Sequence, residues 1–145
     1  MITKGQERAS FAYQKVRAAI EALGTGSTKE FSSFVAGLPA MIMQNGLGHT
    51  LCFLLAKAAD QKNGRYKKTG KEAKHWLAFE ALASWLHKQN MLTFDPEAPA
   101  STIEKISEKS ALEYLALQEE ALRFLEWLKV MSKMFVEGED AQASP

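Results

Sequence analysis

The chain holds one cysteine in 145 residues, so no disulfide can form within it and nothing in its composition points to the cross-linked domains of secreted proteins. Its apolar runs are short, and none approaches the roughly 20 residues that a membrane-spanning helix needs. The first residues, Met1-Ile2-Thr3-Lys4-Gly5-Gln6-Glu7-Arg8, lack the apolar centre of a secretory signal. A cytoplasmic protein with no membrane partner is expected. No segment alternates apolar and polar residues long enough to make a sheet, and no internal repeat stands out. Catalytic signatures are missing too. His49, His75 and His87 have no cysteine or carboxylate at metal-ligand spacing and read as ordinary, partly exposed side chains. No nucleophile elbow occurs. Glu119 and Glu120 are sequence neighbours, about a hundred degrees apart on a helix, and read as solvated charge. Neither an enzyme nor a bound metal or cofactor is expected.

What is present is helical periodicity. The composition, 46% hydrophobic and 24% charged, is that of an ordinary globular chain. Ala9, Ala12, Tyr13, Val16, Ile20 and Leu23 recur at steps of three and four and predict a first helix that Gly24-Thr25-Gly26 stops. Ser27 or Thr28 can cap a second helix carrying Phe31, Phe34, Val35 and Leu38, which Pro39 breaks or restarts. Pro39 to Gly46 reads as a short apolar helix ending at Asn45-Gly46. The next segment, Leu47 to Ala58, is apolar nearly all round. It is expected to be the most buried helix, with Cys52 inside the core. Gly46-Leu47-Gly48-His49 has the glycines of a phosphate loop but not its Lys-Ser/Thr ending, and reads as a helix junction.

Residues 60–70 read as a polar, mobile loop, followed by a helix bearing Trp76, Phe79, Ala83 and Leu86. Ser101-Thr102-Ile103-Glu104 has the pattern of a capping box for a short helix, and Ser110 with Glu113 caps the longest one, expected to end near Val136. That helix carries a wide apolar face, with Leu117, Ala121, Phe124, Leu128, Met131 and Phe135 in one stripe and Leu115, Leu122 and Leu125 beside it. The expected architecture is all-α, a single compact bundle of about six helices over 1–136, with an acidic disordered tail over 137–145.

The net charge of +1 conceals an uneven distribution. Residues 1–94 carry 13 Lys/Arg against 6 Asp/Glu, and residues 95–145 carry 5 against 11. A basic and an acidic portion suit an anionic partner and contact between copies. The densest basic stretch contains Lys57, Lys62, Arg65, Lys67, Lys68, Lys71 and Lys74, with only Asp60 and Glu72 among them. Cations clustered in this way bind phosphates without reading sequence, and Tyr66 among them could stack on a base.

Gly37-Leu38-Pro39-Ala40-Met41-Ile42, then Asn45-Gly46-Leu47-Gly48, then Thr50-Leu51-Cys52-Phe53-Leu54-Leu55-Ala56-Lys57 follow one another as a fixed block. Trp85-Leu86 and the closing run Tyr114-Leu115-Ala116-Leu117-Gln118-Glu119-Glu120-Ala121-Leu122-Arg123-Phe124-Leu125-Glu126-Trp127-Leu128-Lys129 extend it. Together they resemble the small α-helical subunit family of the Cmr-type (type III-B) CRISPR RNA-guided effector complex, over nearly the whole chain. Val130-Met131-Ser132 depart from that pattern, which has a basic residue and alanines there.

The resemblance implies a structural, non-catalytic subunit of an antiviral ribonucleoprotein. Copies would stack head to tail into a filament, with other subunits of the complex, guide RNA and target RNA as partners. On that reading Lys57, Arg65, Lys67, Lys68, Lys71 and Lys74 are the candidate RNA contacts, with Lys15 and Arg17 on the first helix as further ones. Phe124, Trp127 and Met131 are the candidate subunit contacts, since aromatics concentrate at interface cores. A free-standing helical nucleic-acid-binding or chaperone protein is the alternative.

Overall fold

The hydroxyl of Thr3 accepts the amide of Gln6 at 3.1 Å, and the Gln6 side chain accepts the amide of Thr3 at 2.7 Å. This reciprocal pair satisfies two amides that have no partner inside the helix and starts α1, Lys4–Leu23. In the computed structural model the chain continues through α2 (Thr28–Ala36), α3 (Leu38–Asn45), α4 (Leu47–Ala58), the two-residue strands β1 (Ala59–Asp60) and β2 (Arg65–Tyr66), a 3-10 turn (Lys71–Ala73), α5 (Lys74–Lys88), α6 (Ser101–Ser107) and α7 (Ala111–Ala143). The structure describes every residue except Thr25, Asn63, Ser144 and Pro145, and only the backbone of 139–143. Among the described residues there are seven α-helices, one more than the approximate number expected, arranged as an all-α bundle.

Of the stripe expected on α1, Ala12, Val16 and Leu23 are buried and Ala19 joins them, whereas Ala9 and Ile20 are half-buried and Tyr13 is exposed. Gly24, at φ +92°, ends the helix in a conformation that a side chain would strain. Gly37 separates α2 from α3, and Pro39 sits in the first turn of α3, where its missing amide leaves no bond unmade. Helix α7 packs along α1 and α2 and also meets α3 and α5, while α5 lies against α4 and α1.

The centre of the bundle is α5 and not α4. Trp76, Ala78, Phe79, Ala81, Leu82, Ala83, Trp85 and Leu86 are all buried on α5. Helix α4 buries Leu47, Thr50, Leu51, Leu54, Leu55 and Ala58 but leaves His49, Cys52, Ala56 and Lys57 in solvent. Cys52 is therefore exposed, contrary to expectation. A helix built almost entirely of apolar residues does not reveal which side faces the core, and Cys52 lies on the outer one.

Two further expectations are corrected. Ser101 does not cap α6, because the 98–100 turn already has helical geometry, with the amides of Ser101 and Thr102 donating to the carbonyls of Ala98 and Pro99. The Ser101 hydroxyl folds back onto the Ala98 carbonyl at 2.7 Å instead. Helix α7 runs past Val136 to Ala143, since nothing after Val136 except Gly138 opposes helix. Of the acidic tail placed at 137–145, the backbone through Ala143 is thus helical, and Ser144 and Pro145 lie outside the described residues. The cap expected at the start of α7 is present: the Ser110 hydroxyl accepts the Glu113 amide at 3.2 Å, and the Glu113 carboxylate accepts the Ser110 amide at 3.0 Å.

Candidate nucleic-acid interface

The basic segment after α4 is built on a small antiparallel hairpin. Ala59 pairs with Tyr66 and Asp60 with Arg65, and the Lys67 amide donates to the Ala58 carbonyl at 2.8 Å. The Asp60 carboxylate accepts the Lys62 amide at 3.0 Å, a local turn bond of the kind aspartate makes readily. Further on, the Gly70 amide donates to the Ala22 carbonyl of α1 at 2.9 Å. The segment is therefore tied to the bundle at both ends, where the sequence suggested a free loop. Tyr66 is part of that anchoring. Its ring stacks on Trp76 at 5.2 Å between centroids, so one of its faces is already occupied, and Lys68 lies 4.6 Å from the same Trp76 ring.

The hairpin separates two shallow depressions. One, of about 600 Å³, is lined by Lys57, Lys62 and Lys67 together with Asp60 and Glu72. The other, of about 580 Å³, is lined by Arg65, Tyr66 and Lys68 with Pro96 and Glu97. Lys67 is 3.7 Å from the largely exposed Glu72 carboxylate, a weak surface pair. Lys71 is exposed on the 3-10 turn. Five of the predicted cations, Lys57, Arg65, Lys67, Lys68 and Lys71, thus lie on or beside the hairpin.

The other three sit on α5 and α1. Lys74 is half-buried, donates to Glu30 at 2.9 Å and lies 5.3 Å from the Phe34 ring. Glu30 is held below the ordinary carboxylate range, first by that hydrogen bond, then by the charge of Lys74 and that of Lys71. Lys15 donates to Glu80 at 2.6 Å, tying α1 to α5. Arg17 is exposed over the Tyr13 ring at 5.9 Å.

His75 sits among these cations with its ring edge-on to Phe34 at 4.8 Å and to Phe53 at 6.0 Å. Partial burial, followed by the charges of Lys74, Lys57 and Lys67, depresses its pKa below the ordinary imidazole value. No local pattern singles out His75, because the groups around it come from α2, α4 and the hairpin.

The three candidate subunit contacts on α7, Phe124, Trp127 and Met131, separate by exposure. Phe124 is fully buried, stacked on Trp85 at 5.3 Å with the rings 9° from parallel. It belongs to the core and presents no surface. Met131 is half-buried, and Trp127 is 37% exposed beside Val130, with Glu126 completing a shallow hollow of about 250 Å³. Leu112, Leu115, Val130 and Met134 are exposed on the same helix, so its second apolar stripe is only partly covered. Ser132 is buried and donates to the Lys129 carbonyl at 2.9 Å.

Two polar constructions escaped the sequence reading. Arg8 grips Glu120 through Nε at 2.7 Å and Nη2 at 2.8 Å, and Trp85 donates its indole N–H to the same carboxylate at 2.9 Å. Burial pushes the Glu120 pKa up, but the bonds from Arg8 and Trp85 outweigh it and leave the carboxyl below its ordinary value. Glu120 is therefore a structural carboxylate and not a solvated one. The second construction is at the glycine junction. No side chain of its own caps α4, and two from α7 do so: Gln118 accepts the Leu47 amide at 2.9 Å, and the Tyr114 hydroxyl accepts the Gly48 amide at 2.9 Å. A Cβ at Gly46 would stand 2.9 Å from that hydroxyl, at a φ of +89°. The amides that a phosphate loop would offer to a ligand are taken up by α7.

The model for the CRISPR-associated protein family Cas_Cmr5 matches residues 4–135. The chain belongs to that family. It is 26% identical over 137 residues to the CRISPR system Cmr subunit Cmr5 of Thermus thermophilus, covering 94% of this chain and 99% of that one. The crystal structure of a CRISPR-associated Cmr5 family protein from Thermus thermophilus superposes with a TM-score of 0.62 at 26% identity, covering 92% of this chain and 97% of that one. The family-like block of Asn45-Gly46-Leu47-Gly48 and the distant Tyr114 acquire a shared physical basis here, since the glycines admit the tyrosine that caps α4.

Proposed function

We propose that this Cas_Cmr5 family member is a non-catalytic structural subunit of a type III-B CRISPR ribonucleoprotein, stacking head to tail with further copies. It lines the groove that holds guide and target RNA. Family membership supports the assignment to such a complex, and the observation that carries the RNA-binding role is the placement of Lys57, Arg65, Lys67, Lys68 and Lys71 on and around one anchored hairpin. Cations held at a surface contact phosphates in a sequence-independent way, as a subunit serving many guides requires. Lys74 contributes in competition with Glu30, and Lys15 and Arg17 take a smaller share, because Lys15 is engaged by Glu80 and both lie on α1. The exposed residues of α7 around Trp127 and Val130 supply the contact to a neighbouring subunit, with Met131 at the edge and Phe124 holding the helix from inside.

The test is the salt dependence of RNA retention by the assembled complex. Exchanging Lys57, Arg65 and Lys67 for alanine is expected to weaken retention and reduce the slope of log affinity against log salt by about two units. Helicity should be unchanged. An unaltered slope in a complex of unaltered composition would refute the assignment of these residues.

A further inference from the structure

His75 stands where three cations converge, and their arrangement is continuous. Lys74 and His75 share the Phe34 ring, at 5.3 Å and 4.8 Å, while Lys57 and His75 share the Phe53 ring, each at 6.0 Å. Lys57 in turn lines the 600 Å³ depression together with Lys67. The imidazole is half-buried and edge-on to both rings, so its orientation is set by packing. We propose that Lys57, Lys67, Lys74 and His75 form one phosphate subsite, in which the imidazole takes up a proton as the anion binds. This rests on the reading of the hairpin surface as an RNA contact, and adds to it a pH-sensitive element.

The charged groups facing the site come from every element packed around it. Helix α2 contributes Glu30, α4 contributes Lys57, and the hairpin contributes Asp60, Lys62 and Lys67. The 3-10 turn adds Lys71 and Glu72, and α5 adds Lys74. In the free chain burial, followed by the charges of Lys74, Lys57 and Lys67, favours the neutral form of the His75 ring. A phosphate seated among Lys57, Lys67 and Lys74 cancels much of that field and offers an acceptor to the ring N–H. The protonated form is then favoured. The balance is one proton gained from solvent per phosphate bound, with no covalent change.

Because the bound state holds the proton more tightly, affinity rises as pH falls through the pKa of the bound form, and levels off below that of the free form. The gain is about tenfold for each unit by which binding raises the pKa. Glu30 and Glu72 compete with the phosphate for Lys74 and Lys67, so their neutral amide variants should tighten binding.

The measurement is binding of a short, labelled single-stranded RNA to the full chain at low salt, from about pH 7.5 to about pH 5.5, for the wild type and for His75→Phe. Phenylalanine keeps the edge contacts with Phe34 and Phe53 and removes the titrating group. The wild type should gain several-fold more affinity over this range than the variant. In parallel, NMR of the wild-type His75 ring with and without saturating RNA should show its titration midpoint move upward. Equal pH profiles with an unmoved midpoint would overturn the His75 subsite and leave the lysine surface intact. Absence of RNA binding at every pH would overturn both, and binding that survives Lys57→Ala with Lys67→Ala would overturn the placement of the phosphate.

Discussion

Replacing Arg8 by alanine removes two charge-assisted hydrogen bonds, at 2.7 and 2.8 Å, from a carboxylate whose side chain is only 12% exposed. Glu120 would keep the Trp85 indole N–H bond and the more distant charge of Arg123, and would hold a charge in a site that burial disfavours. Removing one partner of a fully buried pair costs about 3–5 kcal/mol, and the residual exposure here lowers the expectation to about 2–4 kcal/mol. With an ordinary urea dependence this moves the unfolding midpoint down by about 1–2 M. Trp85 fluorescence reports the same site.

The pH dependence supplies a second check on that pair. Glu120 is held below its ordinary value of 4.5 in the folded chain, so its contribution is fully present above that value and is lost as pH falls through the folded pKa. The Arg8→Ala deficit should therefore be largest above about pH 5 and shrink below it. Adding Glu120→Gln to Arg8→Ala should recover part of the loss, because the uncompensated charge disappears. A deficit within about 0.5 kcal/mol at neutral pH, the size of an exposed ion pair, would refute the structural role given to Glu120.

Other outcomes follow from the same geometry. Gly46→Ala should cost about 1–3 kcal/mol in denaturant titrations, as its Cβ meets the Tyr114 hydroxyl and its φ is positive, and Tyr114→Phe should cost about 1 kcal/mol through the Gly48 amide. Phe124→Ala should lose about 3–5 kcal/mol as a core cavity, whereas Trp127→Ala should leave stability within about 1 kcal/mol and instead reduce recovery of partner subunits in a pull-down. Lys15→Ala should lower stability by about 0.5–1 kcal/mol and weaken RNA retention less than Lys57→Ala does, since that lysine holds Glu80. Cys52 should react with a thiol reagent in the native state at a rate close to that in denaturant, because it lies outside the core.

Helix identity was legible wherever apolar spacing and a local cap coincide. The spacing of Ala12, Val16 and Leu23 and the Ser110–Glu113 cap need only residues a few positions apart. Helix α4 was misjudged because near-uniform apolarity carries no periodic signal, so Cys52 could be placed on either side. The hairpin was invisible because two residues per strand are too few to show alternation. The Glu120 clamp and the α4 caps join residues 112 and about 70 positions apart, and no local pattern announces such pairs. For the candidate site, clustering along the chain identified the cations around the hairpin, but not which of them already had partners. Glu30 and Glu80 are distant in sequence from Lys74 and Lys15, and His75 gains its surroundings only through the fold.

The central claim is that this chain works as a subunit of an RNA-guided complex. The direct measurement is to tag the protein in its native cell, purify it at moderate salt, and identify the accompanying proteins and RNA. Recovery of a backbone protein together with guide-sized RNA carrying a common repeat-derived end is expected. Recovery of the protein alone, from cells shown to contain the other subunits, would contradict it and favour a free-standing nucleic-acid-binding protein.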